Sequence, residues 1–172
     1  MFKKILLACV PLVFLSLSAC FVVPPAYTEL RTFAHSGDCR VPLVVDSNVP
    51  NRNVVKAAFK NFSGWTGYRF VDASHADAAK HGVRIKVEWK SQPYGGIAIP
   101  TNRPPNTTWV IEIVDPNPSK ELIWHEGGHV FGLAHVGGTP SNIMNAGRTD
   151  RGATWAPEQL SQLRAAGRRA GC

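Results

Sequence analysis

The chain has no apolar run long enough to cross a bilayer comfortably. Its longest, Ile5 to Leu17, falls well short of the roughly 20 residues a spanning helix needs, and with Lys3 and Lys4 in front of it reads as a secretory leader. Acidic residues are scarce: 12 Asp and Glu stand against 19 Lys and Arg, a formal charge of +7. Loss of the leader removes Lys3 and Lys4 and no acid, so 17 against 12 leaves +5. Nucleic acid is not implied by that excess. Arg164, Arg168 and Arg169 sit together near the C-terminus, where they answer a helix dipole, with attraction to anionic lipid or cell-wall polymer left open. Internal repeats, low-complexity blocks and a second domain are also missing. At 172 residues, 44% of them hydrophobic and 18% charged, the composition is that of one globular domain rather than a disordered tail or a fibre.

Cysteine is sparse as well, with four in the chain. The run Leu17, Ser18, Ala19, Cys20 resembles the bacterial lipobox, in which a signal peptidase cuts before a cysteine that then carries lipid. The alternative is an ordinary signal peptide whose nearby cysteine is incidental. On the lipobox reading residues 1–19 are the leader, 20–38 a tether anchored through Cys20, and 39–172 the folded domain. Phe21 supplies no aspartate-type retention signal, so in a cell with two membranes the outer one is the expected address. Cys9 leaves with the leader, and the exported domain keeps Cys39 and Cys172. In an oxidising compartment a disulfide is their simplest use; two buried thiols, or Cys39 acting on a metal, are the alternatives.

Periodicity predicts a strand at Val41 to Asp46, then a helix carrying Val54, Val55, Ala58, Phe59 and Phe62 and closed by Gly64. Tyr68 to Asp72, Val83 to Lys90 and Trp109 to Val114 have the β-branched and aromatic content of strands around one sheet. Asn117 is a plausible N-cap, with Pro118 at the first helical position, for a helix running into the histidines. A last helix starts at Pro157, and Gly167 ends its regular part.

That histidine segment carries the chemistry. His125 and His129 are one helical turn apart, about 6 Å along the axis, a span one metal ion bridges. Glu126 follows the first ligand, beside the metal but poorly placed to bind it, where a base acting on water belongs. Gly127 and Gly128 are poor helix formers, so something other than propensity must hold the helix there. Gly132 can take the positive φ that ends the helix and brings His135 back as a third nitrogen ligand. Three neutral histidines leave the fourth zinc position open, as catalytic zinc requires. His75, His81, Asp72 and Asp77 could suggest a second metal site, but are read as solvated loop positions.

His125, Glu126, His129, Gly132 and His135 together match the signature of the metzincin peptidases, which the chain resembles along most of the domain. The resemblance implies an α+β zincin fold: a twisted mixed sheet of about five strands with an antiparallel edge strand, an active-site helix, a methionine turn and a C-terminal helix. Ser141, Asn142, Ile143, Met144, Asn145 looks like that turn, with Met144 as the floor of the zinc site rather than an ordinary core methionine. Gly95 to Pro100 resembles the edge strand of matrixin-like members, making Gly96, Ile97 and Ala98 candidates to hold an extended peptide; a Gly/Pro-rich surface loop is the alternative. Gly147 to Arg151 corresponds in position to a specificity wall, with Arg148 or Arg151 as its candidates. Val136 after the third histidine matches no usual subfamily choice, and Ala146 stands where astacins and serralysins have a tyrosine, so matrixin-like is a loose description. Cys39 only poorly resembles the zinc-blocking cysteine of matrixin zymogens, and no long prodomain is expected.

The implied activity is a zinc endopeptidase, one Zn2+ per chain and monomeric, in which Glu126 takes a proton from zinc-activated water and hands it to the leaving amine. A zinc amidase acting on cell-wall peptide shares this chemistry. A non-catalytic surface binding lipoprotein is the other rival, but it would have no chemical need of Glu126.

Overall fold

The computed structural model describes residues 39–80, 84–91, 95–101, 108–147 and 151–172. It is α+β, with a five-stranded mixed sheet and, among the described residues, four helices. The expected leader and tether, with Cys20, lie outside the described residues, as do His81 and Arg148. No helix among the described residues is long and apolar enough to cross a membrane.

The strands are β1 (Arg40–Val45), β2 (Arg69–Asp72), β3 (Arg84–Trp89), β4 (Gly96–Pro100) and β5 (Thr108–Ile113), in the order β2-β1-β3-β5-β4. The first four in that order are mutually parallel, and β4 alone runs antiparallel, against β5. This is why Val41 to Val45 reads as a continuous apolar run, with every residue in it buried: a parallel strand is covered on both faces. The Gly95 to Pro100 segment, for which a surface loop was the alternative, is an edge strand. Its register sets Gly96 opposite Ile113 and Ala98 opposite Ile111.

Helix α1 (Arg52–Thr66) returns the chain from β1 to β2 and buries Val55, Ala58, Phe59 and Phe62, the i, i+3, i+4, i+7 stripe of an amphipathic helix. It runs through Gly64, where the expected end does not occur. The helix stops at Gly67, whose φ of 82° supplies the left-handed cap and whose N–H donates to the Ser63 carbonyl at 3.0 Å. A short α2 (His75–Ala78), not anticipated, is capped by Ser74.

Helix α3 (Lys120–Val130) begins later than expected. Its N-cap is Ser119, whose hydroxyl accepts from Leu122 N–H at 3.1 Å, and Asn117 instead takes a hydrogen bond from the Asn51 amide at 2.7 Å. Pro118 thus precedes the cap rather than following it.

Helix α4 (Pro157–Arg169) continues past Gly167. That glycine is inside the helix because α4 lies directly on the end of α1: a Cβ there would fall 1.5 Å from the Thr66 carbonyl oxygen. The C-terminus is then tied back by a disulfide between Cys172 and Cys39, which excludes both free thiols and a role for Cys39 on a metal.

Candidate metal centre

Helix α3 carries the site, and its two glycines are explained by what lies against them. A Cβ on Gly127 would sit 2.4 Å from the Phe62 ring of α1, and one on Gly128 would sit 2.5 Å from Met144 Sδ and 3.1 Å from the Trp155 ring. Propensity is overruled by close packing: the α3 backbone is pressed between α1 and the segment bearing Met144, so no side chain fits on either position.

The helix closes at Phe131, and Gly132, with φ 80°, turns the chain so that Leu133 N–H bonds the Gly128 carbonyl at 3.0 Å. His135 is thereby brought beneath the other two rings. Its Nε2 lies 3.0 Å from His125 Nε2 and 3.1 Å from His129 Nε2. Tetrahedral zinc with Zn–N bonds of about 2.0–2.1 Å would set its nitrogens roughly 3.3 Å apart, close to what is found.

The other ring nitrogens decide the tautomers. His125 Nδ1 lies 2.6 Å from the Ile143 carbonyl and His129 Nδ1 2.8 Å from the Leu133 carbonyl. A carbonyl only accepts, so both Nδ1 atoms carry the proton and both Nε2 atoms present lone pairs toward His135. At most one of those contacts can be a hydrogen bond, donated by His135; a cation satisfies all three nitrogens at once. Burial lowers the pKa of His129 to about 4 and also lowers those of His125 and His135, keeping the set neutral. His125, His129 and His135 are close enough to bind a metal ion, and among the described residues they are the one such group.

Glu126 is 4% exposed, and burial alone pushes its carboxyl up to about 8. Among the described residues no hydrogen bond or ion pair engages it. What contacts it is β4: a Cβ on Gly96 would lie 2.8 Å from Glu126 Oε1 and 3.0 Å from its Cγ. Gly96, expected to serve a substrate, therefore also forms the seat of the carboxyl group. Ala98 is buried, Ile97 half-buried, and Ile99 is exposed along the same strand.

Met144 is fully buried under α3. Sequence reasoning missed what holds it there. Asn142 Oδ1 accepts from Met144 N–H at 2.8 Å and from the Gln159 amide of α4 at 3.1 Å, while Gln159 Oε1 accepts from Ala156 N–H at 2.9 Å. Val136 N–H bonds the Met144 carbonyl at 2.9 Å, and Ile143 N–H bonds Thr154. Glu121, one turn before His125 and 3% exposed, accepts from Gly152 N–H at 3.0 Å and pins the segment after Met144. Gln159 sits where a capping residue belongs, so its second partner has no sequence signal; backbone carbonyls such as Ile143 and Leu133 have none at all.

Of the residues considered for a second metal site, Asp72, His75 and Asp77 do not form a metal-binding group among the described residues, although they belong to elements rather than to loops. Asp72 ends β2 and pairs with Lys56 at 2.5 Å; Asp77, in α2, pairs with Lys80 at 3.1 Å; His75, beside it, contacts Asp46 at 2.9 Å. A depression of about 260 Å³ lined by Leu43, Arg52, Lys56, Asp72 and Asp77 lies at this end of β1 and β2, and none of the three histidines lines it. Arg151 is exposed. No protein-family model matches this chain, nor does any curated protein.

Proposed function

We propose that the chain is a zinc-dependent endopeptidase of the metzincin type, loosely matrixin-like, exported and anchored to a membrane through lipid on Cys20. The observation that carries the reading is the convergence of three neutral imidazole nitrogens beside a buried carboxyl group with no partner of its own among the described residues. A structural metal site needs no such group, and leaving a carboxyl buried and unpaired is unfavourable unless it has other work. When bound, zinc supplies Lewis acidity that acidifies water and polarises a carbonyl.

The chain's own residues supply the rest. His125, His129 and His135 hold the ion, the first two oriented by the Ile143 and Leu133 carbonyls. Glu126, whose ionised form a cation on the three imidazoles would favour, accepts the proton of the attacking water and returns it to the leaving amine. β4 offers its free edge to an extended peptide next to Glu126, and Met144 closes the site from below.

The test is metal analysis and digestion. The purified exported chain is expected to hold one zinc, to cut peptides in an unbiased library and in casein, and to stop when a chelator is added. Glu126→Gln should keep the zinc and lose cleavage. A chain that binds no zinc sinks the reading, and cleavage confined to purified peptidoglycan would move it to the amidase.

A further inference from the structure

The charges of the domain are sorted by the two ends of its parallel strands. β1, β2 and β3 each begin on an arginine: Arg40, Arg69 and Arg84. At the other end, Asp46 follows β1, Asp72 closes β2 and Asp115 lies just past β5. Because these strands run in one direction, their starts gather at one end of the sheet and their finishes at the other.

Helix α4 adds to the basic end. Cys172 is bonded to Cys39, the residue before Arg40, with their Cα atoms 5.6 Å apart, and Arg69 N–H bonds the Cys39 carbonyl at 2.8 Å. The last turn of α4, bearing Arg168 and Arg169, is therefore held next to the starts of β1 and β2. The positive field of Arg169 reaches the Tyr68 phenol, one residue before Arg69.

Lysines and arginines are treated differently by the fold. Lys56, Lys86 and Lys90 are paired with Asp72, Asp46, Glu88 and Glu112 around the strand finishes. Arg69, Arg168 and Arg169 are exposed, and among the described residues none of them has an ion pair. Arg84 is engaged by a helix end, its guanidinium donating to the Ala78 carbonyl at the close of α2 at 3.3 Å, and a helix dipole accounts for Arg168 and Arg169, but neither accounts for Arg69 at the start of β2, where the net dipole is small.

We propose that this arginine-bearing end is a docking face for an anionic phospholipid surface. What selects lipid over other polyanions is where the chain goes next. Residues 20–38 lead from the cysteine of the lipobox-like sequence into Cys39, in the middle of the face, and span at most roughly 65 Å. A lipid on Cys20 keeps the face within that distance of a bilayer, and each guanidinium near an anionic leaflet raises partitioning about fivefold. β2 and β4 are opposite edges of the sheet, so docking at the starts of β1 and β2 leaves the β4 edge uncovered.

The experiment uses the chain from residue 20 with Cys20→Ser, disulfide intact, so that no lipid contributes. Binding is measured to vesicles of phosphatidylglycerol with phosphatidylcholine, and to phosphatidylcholine alone. The expected result is binding only to the former, steeply weakened by salt, and reduced on the order of a hundredfold by Arg69→Gln, Arg168→Gln and Arg169→Gln together. The corresponding triple Lys variant should stay within a few fold of the parent. Zinc content and cleavage of a soluble peptide, unchanged in both, report that the site is intact. If the triple Gln variant folds poorly, the salt dependence of the parent chain decides alone. Salt-insensitive binding, equal binding by the Gln variant, or no binding to anionic vesicles overturns the proposal. Arginine-dependent binding to cell-wall sacculi but not to vesicles overturns it too, and assigns the face to a wall polymer.

Discussion

Gly96→Ala tests the seat of the carboxyl group proposed as the base. The added Cβ would lie 2.8 Å from Glu126 Oε1, 3.0 Å from Cγ and 3.1 Å from Cδ, where ordinary contact begins at 3.4 Å. Three atoms of one side chain are crowded together, so turning the carboxylate about its last bond does not relieve the overlap. The side chain must shift by about 0.6 Å at Oε1 or leave its rotamer, at roughly 0.5–1.5 kcal/mol. Displacing a reacting group by about 1 Å lowers a rate on the order of a hundredfold, so a shift of this size should lower kcat by roughly ten- to fiftyfold. KM and bound zinc should hold, because the added methyl meets Glu126 and leaves the backbone groups of β4 and the imidazoles in place. Steady-state cleavage of a fluorogenic peptide and metal analysis read both. Gly95→Ala is the control, since its Cβ would meet only Leu122 Cδ1 at 3.8 Å. Glu126→Asp, shorter by one methylene, should lose less activity when combined with Gly96→Ala than when made in the parent chain. Wild-type kcat in Gly96→Ala, or loss of zinc with the activity, would refute the argument.

Replacing both Cys39 and Cys172 by Ser should lower stability by up to about 5 kcal/mol in the chain-entropy model, since the loop spans 133 residues; an unchanged urea midpoint would contradict this. Gly167→Ala should cost about 2 kcal/mol or more despite better helix propensity, because its Cβ meets the Thr66 carbonyl, whereas Gly64→Ala, with nothing within 4 Å, should gain up to about 1 kcal/mol; thermal melts compare the two. The metal-free protein should be most stable near pH 6.5. The three histidines have lowered pKa values when folded, so the unfolded chain takes up more protons as pH falls from 6.5 toward 4 and stability drops. Glu126, raised to about 8, stays protonated in the fold while ionised when unfolded, so stability also drops from 6.5 to 8. Glu126→Gln should abolish the alkaline limb and steepen the acid one, because the raised carboxyl opposes stability from its unfolded value of 4.5 upward; an alkaline limb that survives it belongs to another group.

Local chemistry is what could be read directly. The His125, Glu126, His129 spacing defines one helical turn, and Gly132 is a residue able to adopt the φ of 80° that returns His135, so the candidate ligand set needed no tertiary knowledge. The continuous apolar stretches likewise marked buried strands, because burial on both faces is a property of each strand's own composition. Glycine was where sequence reasoning failed. Gly64 and Gly167 read as helix ends yet lie inside helices. For Gly167 the cause is the Thr66 carbonyl, more than a hundred residues before it in the chain; at Gly64 the helix continues and the left-handed cap falls three residues later, at Gly67.

Which atoms could bind a metal was already written in one short segment, since ligand type and helical pitch are intrinsic to it. How those atoms are held came only from the folded chain. The tautomers rest on carbonyls of Ile143 and Leu133, Met144 on an Asn142–Gln159 bond from another helix, and the Glu126 carboxyl on the missing side chain of Gly96. Each is a contact between segments whose proximity follows from packing the whole chain. A backbone carbonyl or an absent Cβ has no letter of its own to be read.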